Sequence, residues 1–120
     1  MVKRWALTKK AQYETVYKSG KAKSDYLIVV KVLANKLDYS RYGYSVSKNV
    51  GNAVKRNYIR RILKEIARLS PIKPGYDIVF IARQGAGNAN FHQIKDAANK
   101  LLGKSDMLIK ENEMVSLKTN

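Results

Sequence analysis

Apolar positions along this chain change their spacing several times, and each change marks an element. Tyr13, Val16 and Tyr17 fall at helical spacing after Thr8, a residue suited to cap a helix, and Ser19-Gly20 ends the segment. Tyr26 to Leu33 (YLIVVKVL) is rich in β-branched residues and predicts a strand. Arg41 to Ser47 alternates, with Tyr42, Tyr44 and Val46 on one face. Across the polar turn Asn35 to Ser40 it predicts the second strand of an antiparallel hairpin. Asn52 to about Leu69 carries the strongest helical period, stopped by Ser70-Pro71-Ile72-Lys73-Pro74-Gly75 because proline has no N–H to donate. Tyr76 to Ala82 (YDIVFIA) is a nearly continuous apolar run and predicts a buried strand. After a glycine-containing loop at 84–89, Asn90 with Gln93 forms a capping-box pattern. Phe91, Ile94, Ala98, Leu101 and Leu102 then give a last amphipathic helix, with Gly103 as its stop.

The order helix, strand, strand, helix, strand, helix predicts an α/β chain built as an α+β two-layer sandwich, one sheet with helices on it. A length of 120 residues fits one domain, placed at 1–103, and no internal repeat is visible. Residues 104–120 have no clear period and are expected as a frayed tail. Residues 1–7 read as a basic arm, and its Trp5 suits RNA contact and simple packing equally.

Charge changes the picture most. Lys and Arg number 24 against 9 Asp and Glu, a net of +15. Solubility of a small domain needs only roughly 2–8 units. The excess repels itself, so a polyanionic partner, nucleic acid first, is the natural explanation. An anionic membrane surface would favour a basic amphipathic helix backed by Trp, Phe and Leu. No apolar run approaches the roughly 20 residues that span a bilayer, and no secretory signal follows the basic start. The absence of cysteine excludes disulfides, thiolate metal sites and a cysteine nucleophile, and suits a cytoplasmic protein.

The central helix concentrates that charge. At about 100° per residue, Arg56, Arg60, Arg61, Lys64 and Arg68 fall within one arc of roughly 140°, with Asn57 among them. Val54, Tyr58, Ile59, Ile62, Leu63, Ile66 and Leu69 fill the opposite arc, Glu65 sits at the boundary, and Lys55 falls toward the apolar side. The pairs Arg56/Arg60, Arg60/Lys64 and Lys64/Arg68 are like-charged at i,i+4, costing a few tenths of a kcal/mol each unless an external anion reverses the sign. Arginine forks suit phosphate, and Asn57 can read a base edge or a 2′-hydroxyl. A plain solvated face would mix Glu with Lys.

The run Ser45-Val46-Ser47-Lys48-Asn49-Val50-Gly51-Asn52-Ala53-Val54-Lys55-Arg56-Asn57-Tyr58-Ile59-Arg60-Arg61 closely resembles the signature of the bacterial ribonuclease P protein family. Tyr13-x-x-x-Tyr17-Lys18-x-Gly20 is similar to that family's paired aromatics and glycine, and Asp77 to Arg83 to its late strand. The likeness covers roughly residues 5–102. Two departures stand out: Tyr58 where the family often has a third basic residue, and Ser24-Asp25-Tyr26 where a basic stretch is common.

The resemblance implies a sheet of about four strands with three helices in the order α-β-β-(β)-α-β-α, and a left-handed βαβ crossover against the usual hand. It implies an accessory protein subunit that binds a catalytic RNA subunit, one protein to one RNA in the simplest case, and the 5′ leader of precursor tRNA. Magnesium would be held mainly by the RNA. Lys48, Asn52, Lys55, Arg56, Asn57, Arg60, Arg61, Lys64 and Arg68 would grip the RNA subunit. Tyr13 and Tyr17 would stack on leader bases in a cleft with Ile28, Val30 and Ser47. No catalytic or metal-ligating residue is expected on the chain itself. Its one histidine, His92, reads as an exposed helix residue, and the acidic residues are scattered. A ribosomal protein would share the charge but lack the Gly-Asn-Ala-Val-Lys-Arg-Asn run. A helix-turn-helix protein needs a helix where Tyr42 to Ser47 reads as strand, and an independent nuclease lacks residues for the chemistry.

Overall fold

The computed structural model describes residues 6–110. Its elements are α1 (Lys10–Ser19), β1 (Lys21–Ser24), β2 (Ile28–Ala34), β3 (Arg41–Val46), α2 (Ala53–Leu69), β4 (Tyr76–Ala82) and α3 (Phe91–Lys104), with short 3-10 turns at Lys48–Val50 and Gln84–Asn88. The sheet order is β1-β2-β4-β3, with β4 antiparallel to β2 and parallel to β3, which it follows through α2. Three helices and a four-stranded mixed sheet make the α+β fold expected from the chain.

Strand alternation sends neighbouring side chains to opposite faces. Ile28, Val30, Ile78 and Phe80 face α2 and α3, closing the main core with Ile59, Leu63, Ile66, Ile94 and Leu101. On the opposite face α1 lies against the sheet, where Val16, Leu7 and Val79 form a smaller cluster.

The expected hairpin between the second and third strands is not formed, because β4 lies between them. The physical reason is burial. Ile78, Val79 and Phe80 are fully buried on alternate faces, so β4 needs a central position. The polar turn wraps the end of β4 instead of closing a hairpin. The buried Asp77 carboxylate accepts from Asn35 Nδ2 (2.9 Å) on one side and from Arg41 Nε and Nη2 (2.8 and 2.7 Å) on the other. Asp77 raises the Arg41 pKa, chiefly through that hydrogen bond.

Three further expectations change. β1 (Lys-Ala-Lys-Ser) has no apolar alternation and all four residues are exposed, yet it pairs with β2 as an edge whose lysines discourage further pairing. Thr8 does not cap α1. Lys9 holds the cap position, and Gln12 Oε1 accepts from the N–H groups of Thr8 and Lys9 (2.9 and 3.0 Å). Gly103 does not stop α3, which runs to Lys104 with Ser105 at its cap, while Asn90 and Gln93 form the expected capping box.

The beginning of the expected tail is packed. Met107 is buried in the main core, Lys73 N–H donates to its carbonyl (2.8 Å), and Ile109 N–H donates to the Pro71 carbonyl (2.8 Å). The proline-rich segment after α2 has free backbone groups, and residues 107–109 satisfy them. At the other end Leu7 is buried and its N–H donates to the Tyr42 carbonyl (2.9 Å) on the outer edge of β3. The rest of the expected arm and tail, residues 1–5 and 111–120, lies outside the described residues.

Candidate nucleic-acid interface

The Gly51-Asn52-Ala53-Val54-Lys55 stretch builds the start of α2. Asn52 caps the helix, its Oδ1 accepting from Lys55 N–H (2.9 Å). Lys55 Nζ reaches back to the Gly87 carbonyl (2.7 Å) in the Gln84–Asn88 turn. That turn lies so close to Val50 that a side-chain carbon on Gly87 would sit 2.4 Å from the Val50 oxygen. Lys55, expected among the RNA-gripping cations, is thus placed as a staple between two backbone segments. This explains its position away from the cationic arc.

Farther along α2 the exposed face carries Asn57, Arg61, Lys64 and Arg68, while Arg56 and Arg60 are half-buried along one side. Lys48 stands exposed in the turn before the helix. Arg60 Nη1 donates to Asn57 Oδ1 (2.9 Å), orienting that amide. Arg68 forks onto Glu65 (3.0 and 2.5 Å), and this hydrogen bond holds the Glu65 carboxyl below its usual range. Arg56 Nε is buried without a hydrogen-bond partner among the described residues.

The apolar arc of α2 is narrower than its sequence suggested. Ile59, Ile62, Leu63 and Ile66 are buried as expected, and Ala67 joins them. Val54 (78% exposed), Tyr58 (46%) and Leu69 (48%) instead lie outward, on the same side as the cations. The sheet and α3 cover one stripe of the helix, and no described element covers the other edge of the arc. Tyr58 is therefore a surface residue, with the Arg61 guanidinium 5.9 Å from its ring centre. Between the second half of α2 and β3 lies a groove of about 940 Å³, floored by Tyr42 and Tyr44 and rimmed by Arg61, Lys64 and Arg68. Burial raises the pKa of both phenols, so they stay protonated donors.

The aromatic surface lies on the other face of the sheet. Tyr13 lies across β3 so closely that a side-chain carbon on Gly43 would fall 2.6 Å from its ring, and its hydroxyl accepts from Tyr44 N–H (3.3 Å). Tyr17 is 6.3 Å away between ring centres. Lys31 Nζ donates to the Tyr17 carbonyl (3.0 Å) and stands 5.5 Å from that ring. Beside them runs one cross-strand row, Val29, Ile81 and Ser45, half-buried because α1 covers only part of this face. Ser47 is exposed at the end of the same face, its hydroxyl donating to Asn49 Oδ1.

Ile28 and Val30 do not belong to this surface. Both are fully buried on the opposite face, in the core beneath α2 and α3. The expected lining was one residue out of phase, and Val29 and Lys31 take its place. Lys31 was the available signal: a lysine inside an apolar run marks the face that is not the core.

Among the described residues no set of three His, Cys, Asp or Glu side chains comes together to hold a metal. Asp77 and Glu65 are engaged by arginines, Asp25 by two backbone N–H groups, and Asp106 by Lys73. His92 is exposed, edge-on to Phe91.

A Ribonuclease P family model matches residues 1–106 of this chain. The chain belongs to the ribonuclease P protein family. The ribonuclease P protein component of Clostridioides difficile (strain 630) is 46% identical over 106 residues, 86% of this chain and 93% of that protein. That of Dehalococcoides mccartyi (strain 195, ATCC BAA-2266) is 42% identical over 114 residues, 95% of each. The solved Staphylococcus aureus RNase P protein superposes with a TM-score of 0.80 at 34% identity, covering 87% of this chain and 97% of its own. For the Thermotoga maritima RNase P protein the values are 0.76, 30%, 82% and 96%. As a ribonuclease P protein, this chain has its family signature divided between two jobs: Gly51, Asn52 and Lys55 build the start of α2, and the residues after them furnish its charge.

Proposed function

We propose that the chain is the protein subunit of ribonuclease P, assisting endonucleolytic removal of the 5′ leader from precursor tRNA. The observation that carries this reading, within a chain of that family, is the pairing of two unlike surfaces on one small sheet. One is a helix face rich in cations, with Arg68 paired to Glu65, and the other is a strip of aromatic and half-buried apolar groups. Duplex and folded RNA present phosphates, which suit the cations of α2. A single-stranded leader presents bare bases, which suit Tyr13 and Tyr17.

The partner through α2 is the RNA subunit, one per protein. Catalysis is assigned to that RNA, and magnesium with it; among the described residues no three His, Cys, Asp or Glu side chains come together. The protein contributes binding and positioning, and the cytoplasm is its place of work. No described helix is long and apolar enough to cross a membrane.

The test is a cleavage assay at low magnesium with precursor tRNA and a bacterial ribonuclease P RNA, with and without the protein, and with the protein alone. Cleavage at the mature 5′ end is expected only with both components. Tight RNA binding without stimulation would favour a ribosomal or RNA-chaperone role, and cleavage by the protein alone would overturn the assignment of catalysis to RNA.

A further inference from the structure

Tyr26 is the most exposed large aromatic described, at 78%, and nothing in the two surfaces above uses it. Its ring nevertheless has a close neighbour. It lies on Gly85 so closely that a side-chain carbon there would sit 2.6 Å from Cε2 and 2.9 Å from Cδ2 and Cζ. One ring face is therefore against backbone and the other faces water.

The turn that carries the ring is braced from three directions. Asp25 Oδ1 accepts from the N–H groups of Leu27 (2.8 Å) and Ile28 (3.0 Å). Arg83 Nη1 donates to the Asp25 carbonyl (3.0 Å), and Arg83 N–H donates to the Leu27 carbonyl (2.8 Å). A solvated tyrosine at a hairpin end needs none of this. A ring resting one face on glycine has less freedom left to lose when a base stacks on its other face.

Its position suits the same RNA. β2 begins at Ile28, in register with Ala82 and Val46, so Tyr26 stands at the end of the sheet where Ser47 and Arg83 also emerge. From Lys31, beside Tyr17, it is five residues along the chain, about 16 Å at strand rise. That is within reach of one continuous single strand crossing the Val29–Ile81–Ser45 row. Through Gly85 the ring also rests on the turn that Lys55 ties to α2.

We propose that Tyr26 is a further base-stacking platform, on which one unpaired base of the precursor tRNA leader stacks beyond the Tyr13–Tyr17 pair. The proposal rests on the reading that the α1 face binds the leader. Gly85 is part of the device, because only a residue without a side chain lets the ring lie down.

The experiment uses the assembled holoenzyme and precursor tRNAs carrying 2-aminopurine at one leader position at a time. With the wild-type protein, stacking quenches the probe at several positions. In Tyr26→Ala one of these positions is expected to lose its quenching while the others keep theirs. Precursor binding should weaken roughly five- to tenfold, toward the low end for base–aromatic stacking, with mature tRNA and RNA-subunit binding unchanged. Tyr26→Trp should restore the signal. Gly85→Ala, which displaces the ring without removing it, should reproduce the Tyr26→Ala pattern at an unchanged melting temperature. Quenching unaltered at every position in Tyr26→Ala, with precursor still preferred over mature tRNA, would overturn the proposal and leave the function standing. Lost affinity for the RNA subunit would move the ring to that interface and overturn it too. A wild-type holoenzyme that binds precursor and mature tRNA equally would bring down the leader reading itself.

Discussion

The two faces of this sheet carry opposite designs, and under the proposed function each would meet a different part of RNA. On α2 the working groups are long, flexible and charged, held loosely by contacts such as Arg60–Asn57 and Arg68–Glu65 that an incoming phosphate can replace. On the α1 face the proposed contact groups are rings lying on glycine backbone, Tyr13 over Gly43 and, at the sheet end, Tyr26 over Gly85. On the proposed function, the difference teaches how each target would be met. Phosphates are everywhere along RNA and attract from a distance, so mobile charges suffice. A base offers only short-range contact, so its platform must be in place beforehand.

The largest test breaks what the two faces share. Asp77 ties Arg41 of β3 and Asn35 after β2, and β3 serves both surfaces. Asp77→Ala should cost about 3 kcal/mol, the usual loss when one partner of a buried ion pair is removed. Denaturant unfolding will show it, and a loss under 1 kcal/mol would demote this clamp.

Next in size is Arg60→Ala with Arg61→Ala. Together they should cost about 3 kcal/mol of RNA-subunit affinity, roughly a hundredfold, and lower the salt slope by about 2. An unchanged slope would remove this face from the interface. Gly43→Ala is the reciprocal cut. By pushing Tyr13 off β3 it should weaken precursor over mature tRNA by roughly tenfold, with the α2 salt slope intact. If both substrates suffered equally, the ring would be ordinary packing.

Tyr17→Ala should be smaller, about 1 kcal/mol against precursor alone, with little change in melting temperature because the ring is 37% exposed. Smallest is an alkaline effect. Burial raises the folded pKa of Tyr44 and Tyr42 above the ordinary phenol value of about 10. Their contribution is whole below about pH 10 and is lost as pH rises beyond it, since the unfolded chain ionises first. Melting curves from pH 9 to 11 should fall less steeply for Tyr44→Phe than for the wild type, and parallel curves would contradict the burial argument.

Much of this was legible along the chain. β4 at Tyr76–Ala82, the span of α2 and the Asn90–Gln93 capping box follow from local chemistry, which acts over three or four residues and is therefore written locally. The cationic face of α2 was legible for the same reason. β1 was not, because an exposed edge strand needs only backbone pairing and leaves no apolar trace. The lining expected beside Tyr13 and Tyr17 was one residue out of phase, since an apolar run such as YLIVVKVL does not say which face of its sheet is better covered.

The sequence by itself determined the charge, the helices, the buried strand and the signature that places the chain in its family. Only the tertiary structure decided that β4 parts β2 from β3, that Val29 and Lys31 rather than Ile28 and Val30 border the aromatic pair, and that Lys55 staples a turn while Tyr58 and Tyr26 face water. The reason is physical. A residue's period and type fix its own helix or strand, but its exposure depends on what packs against each face, and those partners come from far along the chain.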